Sequence, residues 1–307
     1  MNPLVPIPAA AAVVLVRGLF ALILSLGAAG AHDSRAHAAL TQGAAFHAAM
    51  ILENGRGAPD PSVAVTDSVV AQAPPERHRS FRDLKPARDM LHGLQVTGRD
   101  AMAVLRGPFH MDRSDGVWTL AALAVTGASY AYDQEILAAF HRNREDATYD
   151  ALLEPGRRLE KLGLIGTTAP CYAAGLGIGY ILRNEPLTQI SSELLESHLI
   201  TGVLRQVMER AVGRTRPDDG KGPRNYEFND GDSFPSGHAS VVFEVATVAS
   251  HHTRSNVLRA LYYALATSLA LERADSNSHW PSDIVAGAII GTVVSRAIVR
   301  RHADAGK

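Results

Sequence analysis

Three short runs in this 307-residue chain carry side chains able to do chemistry together: Arg216-Pro217, Pro235-Ser236-Gly237-His238, and Arg273 followed by His279 and Asp283. Together they supply two guanidinium groups, two imidazoles, a hydroxyl and a carboxylate. A phosphomonoester at neutral pH carries about two negative charges, and displacement at phosphorus loads further charge onto its equatorial oxygens. Fixed cationic donors are therefore the main catalytic need, and Arg216 and Arg273 can each bridge two oxygens with parallel hydrogen bonds. Ser236 and Gly237 stand at the entrance to an apolar, helical stretch, where backbone N–H groups and a hydroxyl can line an anion. His238, when protonated, can donate to a leaving oxygen. His279 and Asp283 are four residues apart, so on a helix they share a face, and the carboxylate can hold one imidazole nitrogen while the other attacks. Each run alone has a plainer reading: a solvated arginine, an N-cap serine, an acidic residue favoured in a first helical turn. Their succession favours the phosphate reading, which needs no metal and no cofactor.

In order and spacing the three runs resemble the type 2 phosphatidic acid phosphatase superfamily, which also includes bacterial non-specific acid phosphatases and vanadium haloperoxidases. The resemblance covers the chain from about Ala87, with its motifs between Glu209 and Asp283. It implies an all-α helical bundle and a metal-free phosphatase working through a phosphohistidine. Arg216 and Arg273 would hold phosphate, Ser236 and Gly237 would line it, His238 would act as acid, His279 as nucleophile and Asp283 as its orienting partner. The substrate would be a phosphate ester, on a lipid or soluble. Two positions depart from the pattern: Glu209 stands where the first motif opens with lysine, and Glu272 where the third has serine before its arginine. These glutamates either point away or pair with arginines such as Arg205 or Arg210, or retune the site towards acid pH or an amine-bearing substrate, or mark a chain that binds phosphate and turns it over poorly. Vanadate held in the same cradle for peroxide chemistry is the weaker enzyme alternative.

Helical periodicity must position these residues. It predicts helices over 87–105, 117–140, 146–153, 161–182, 187–212, 239–251, 255–273 and 281–300. Gly287 and Gly291, a small residue every fourth position, should let a neighbouring helix approach the last of these closely. The longest uncharged run, 162–182, is diluted by glycines, threonines and Pro170, which favours a soluble or peripheral bundle over an integral one. The basic, amphipathic stretch from Arg88 to Phe109 would serve as a docking helix or lie on a membrane surface. Cys171, the single cysteine, excludes an intrachain disulfide and reads as a buried small hydrophobe.

A net charge of −1 excludes general attraction to nucleic acid. Residues 1–31, with Arg17 before the apolar run Leu19 to Leu26, read as an export signal or an uncleaved N-terminal anchor. The rest would then be exported to the periplasm, free or tethered to the inner membrane. Residues 32–86 read as a linker whose scattered histidines match no ligand spacing, 87–301 as the phosphatase domain and 302–307 as a tail. Oligomeric state is not written in the chain.

Overall fold

Short polar side chains close the first turns of the long helices. Asp146 accepts from the Thr148 and Tyr149 amides, Asn184 from Leu187, Ser236 from Ala239 and Ser255 from Leu258, each satisfying an N–H that the helix leaves unpaired. The resulting order, in a computed structural model describing residues 86–107 and 113–305, is all-α. Its helices are α1 (Pro86–Arg106), α2 (Arg113–Ala131), α3 (Asp133–Arg142), α4 (Ala147–Arg158), α5 (Ile165–Leu182), α6 (Glu185–Val212), α7 (Gly237–His251), α8 (Asn256–Asp275) and α9 (Pro281–Ala305). Single 3-10 turns lie at Glu160–Gly163 and Pro217–Asp219. Among the described residues no strand forms, and one isolated antiparallel bridge joins Arg214 to Tyr226. The export segment and nearly all of the 32–86 linker lie outside the described residues.

From Thr97 onward the chain clusters as one unit; a second unit, residues 31–96, is described only in the first turns of α1. Within the first unit α7 is central, packed along α9 and α8, with α6 also against it and α4 on α8. Leu153, Val242, Phe243, Tyr263, Ala270, Trp280 and Ile284 are buried in the principal core. Gly287 and Gly291 do bring α9 onto α7: a β-carbon on them would lie 2.3 Å from the Ser236 carbonyl oxygen and 2.2 Å from that of Ser240.

Four expectations are corrected. The single helix over 117–140 is two, broken at Tyr132, and the helix from 161 opens as a 3-10 turn before α5. Cys171 is exposed: α5 buries Thr168 and Tyr172, four apart, and one residue's rotation of about 100° turns Cys171 off that face. Finally α9 starts at Pro281, leaving His279 outside the helix. By length and composition α9 alone among the described helices could cross a bilayer, yet 72% of that window is buried by the rest of the protein.

Candidate functional site

The site is built where α6, α7 and α8 meet the start of α9. Gly213 ends α6 with φ +62, and the chain then runs extended through Arg214 and Arg216. Ser233 N–H donates to the Arg214 carbonyl and Ser236 N–H to the Asp283 carbonyl, so the 213–236 loop is tied both to itself and to α9.

His279 is 3% exposed, and its Nδ1 lies 2.8 Å from the Ser233 carbonyl oxygen. A carbonyl can only accept, so Nδ1 carries the proton and Nε2 keeps its lone pair. Burial, reinforced by the charges of Arg216, His238 and Arg273, pushes the ring down to about 3, so it is neutral at physiological pH. His238 is likewise pushed down to about 4, by burial first and then by Arg273, Arg216 and Arg205. Its Nε2 is buried with no hydrogen-bond partner, and its ring packs under Gly163, where a β-carbon would lie 2.6 Å from Cδ2. Both imidazoles thus sit in the field of Arg216 and Arg273. These four side chains come together.

Asp283 does not bond His279. It accepts from Arg214 Nη1 at 2.7 Å, Ser233 Oγ at 2.6 Å and the Trp280 amide at 3.0 Å. The four-residue spacing fails because His279 is off the helical path. Ser233 links the two instead: its hydroxyl donates to Asp283 while its carbonyl holds the imidazole. Burial pushes Asp283 up to about 7, against the pull of Arg214.

Arg216 and Arg273 already have carboxylate partners. Arg216 donates through Nε and Nη2 to the two oxygens of Asp232, both at 2.8 Å. Arg273 donates to Glu272 at 2.5 Å from Nε and also reaches Glu160 at 3.1 Å from Nη2. Glu209, pushed up by burial, pairs with Arg205 one turn back. Both glutamates thus pair with arginines, Glu209 with Arg205 and Glu272 with Arg273. Arg205 in turn lies over the start of α7, its Nε 3.3 Å from where a β-carbon on Gly237 would stand, and that buried Nε has no partner. Ser236 is fully buried as the N-cap of α7.

Beneath the site lies a buried network. Arg214, 1% exposed, donates to Asp133, Ser282, Asp283 and the Pro223 carbonyl and stacks near Tyr130 and Trp280. Asp133 also accepts from the Ser282 amide and hydroxyl at 2.8 and 2.7 Å. Neither Arg214 nor Asp133 is marked by motif or periodicity; the pair is 81 positions apart.

The structure is thus an all-α bundle in which two imidazoles lie in the field of two arginines near the capped start of α7. Residues 192–307 match the model of the PAP2 superfamily. It is similar to lipid A 1-phosphatase of Rhizobium etli, 31% identical over 108 residues, which are 33% of this chain and 46% of that protein. A lipid A 1-phosphatase of Porphyromonas gingivalis is 29% identical over 121 residues, 38% of this chain and 25% of that one. The chain spans less than half the length of these relatives. A crystal structure of a transmembrane PAP2 type phosphatidylglycerolphosphate phosphatase from Bacillus subtilis aligns with TM-score 0.40 and 19% identity, over 70% of this chain and 96% of that one.

Proposed function

We propose that the chain is a metal-independent phosphatase acting on a phosphomonoester carried by a lipid. The observation that carries the reading is His279: a buried, neutral imidazole whose Nδ1 is fixed on the Ser233 carbonyl and whose free Nε2 lies in the field of two arginines. In the proposed reaction Nε2 attacks phosphorus, the P–O ester bond breaks, and His238 passes a proton to the leaving oxygen. Water, deprotonated by His238, then cleaves the phosphohistidine. A bound phosphate dianion raises His238 from its substrate-free value and so supplies the acid. Arg216, Arg273 and Arg205 hold the phosphoryl oxygens with Ser236 and Gly237, and substrate must displace Asp232 from Arg216.

The lipid class rests on the relatives named lipid A 1-phosphatase and on apolar side chains left in the open. Phe228, in the loop between Arg216 and Asp232, is 80% exposed, and Leu120, Leu123, Val203 and Val207 are each more than 60% exposed. The same reading places the catalytic domain, 87–301, outside the cytoplasm, behind an export signal or anchor at 1–31 and a linker at 32–86, and associated with a membrane. The test is turnover of a phospholipid monoester and of a soluble aryl phosphate in chelator, with His279→Ala as control. We expect an acid-labile, alkali-stable phosphoenzyme and a loss of at least 1,000-fold in the variant, the scale of about 4 kcal/mol of barrier. One observation favours a second reading, a phosphate-binding homologue of low activity: carboxylates already occupy Arg216 and Arg273. Wild-type turnover no faster than His279→Ala would establish it.

A further inference from the structure

Outside the phosphate site, α1, α6 and α9 gather a second set of ionisable side chains. Asp100, Glu193 and Glu196 are buried, at 3%, 0% and 5% exposure. His302 stands among them and His252 and Arg301 at their margin. Among the described residues the only permanent cation in contact is Arg301, whose Nε donates to Asp100 Oδ1 at 2.6 Å. Three carboxylates against one guanidinium leave two negative charges to be neutralised in a buried place, and unneutralised buried charge is too costly to persist.

We propose that Asp100, Glu196 and His302 form a site for a divalent transition-metal cation, Zn2+ in the first instance. Their ligand atoms lie within 4.8 Å of one another. His302 Nε2 is 3.0 Å from Glu196 Oε2 and 3.5 Å from Asp100 Oδ2. Ligands about 2.0–2.1 Å from a tetrahedral Zn2+ stand about 3.3 Å from each other, so these separations already have the right size. Two buried atoms are left without a hydrogen bond there, Glu196 Oε1 and His302 Nε2 itself: the imidazole nitrogen is near both carboxylates and aligned with neither.

Glu193 stands behind the imidazole, its Oε1 3.6 Å from His302 Nδ1, and is itself fixed by Gln189 at 2.9 Å and His252 at 2.6 Å. A carboxylate on the far ring nitrogen keeps the proton at Nδ1 and presents Nε2 to a metal. One imidazole with two carboxylates suits Zn2+, whereas Mg2+ and Ca2+ favour oxygen throughout. The site is separate from the phosphate chemistry: Asp283 and His302 lie roughly 28 Å apart along α9 at 1.5 Å per residue. Bound metal would tie α1 to α6 and α9, and its binding free energy would add to the stability of the fold.

The test is Zn2+ uptake by the full chain after stripping with chelator, read by metal analysis after equilibrium dialysis and by the thermal midpoint. We expect one Zn2+ lost from each chain in Glu196→Gln and in His302→Asn, at least tenfold weaker binding at that site, and a midpoint raised by Zn2+ in wild type alone. Co2+ in its place should give visible absorption that both variants lose, while circular dichroism checks that the variants keep their helices. No uptake by stripped wild type would overturn the proposal and leave protons on His302 and His252 as the neutralising charge. Uptake unchanged in two folded variants would overturn it too, by assigning the metal to histidines elsewhere in the chain.

Discussion

Ser233 is the residue on which the geometry of the proposed nucleophile turns, although a serine in an irregular loop gives no signal in the sequence. Its carbonyl fixes His279 Nδ1 and its hydroxyl donates to Asp283 Oδ2. Asp283 therefore acts on the imidazole through Ser233. Removing the hydroxyl deletes a charge-assisted hydrogen bond worth about 1.5–3 kcal/mol and leaves a buried carboxylate oxygen short of a donor. If most of that loss reaches the transition state, Ser233→Ala lowers kcat about tenfold or more, with KM little changed, in steady-state assays. A direct carboxylate–imidazole pair would leave the variant near wild type. The residue types of the candidate site were legible because arginine, histidine and serine declare their chemistry at any position. Arg214 was not, since an arginine two residues before Arg216 gives no hint that one is buried on two aspartates and the other half-exposed on Asp232.

At the scale of helices, periodicity and caps made most of the bundle readable, because each apolar face repeats within one or two turns. What it missed lies in junctions. The break at Tyr132 separates two apolar segments with no proline or glycine between them, and it puts Asp133 at the first position of α3, where its carboxylate meets Arg214 and Ser282. The uniformly apolar α5 hides which face is buried, hence Cys171. The contact between α7 and α9 was written in the glycines, and it positions Ser236, Gly237 and His238. In Gly287→Ala the new methyl group meets backbone at 2.3 Å, so α7 must move away. We expect a cost of about 1–3 kcal/mol in urea unfolding together with reduced turnover. Gly177→Ala, in α5 with nothing within 4 Å, should instead leave activity unchanged and gain up to about 1 kcal/mol.

For the whole molecule, the burial that keeps two imidazoles neutral makes their share of the stability depend on pH. His279 and His238 are kept neutral in the folded chain, at about 3 and about 4, chiefly by burial and then by the surrounding arginines. Unfolding releases both rings to water, where imidazole titrates near its ordinary value of about 6.5. Below that pH the unfolded chain binds protons that the folded chain refuses. The contribution of these two rings is therefore full above about 6.5 and falls as the pH drops towards the folded values. For His279 alone the loss between pH 6.5 and 5 is about 2 kcal/mol, at 1.36 kcal/mol per unit, and His238 adds in the same direction. Asp283, pushed up to about 7, works in the opposite sense over this range, so the imidazole share is read as a difference: between pH 7 and pH 5 His279→Asn should lose about 2 kcal/mol less in urea unfolding than wild type, while abolishing turnover. Inorganic phosphate should narrow the gap in wild type, because a bound anion favours the protonated His238 and binds only the folded chain. A pH dependence in His279→Asn equal to that of wild type would mean that the folded protein does not hold His279 neutral, and the free lone pair that the proposed attack requires would go with it.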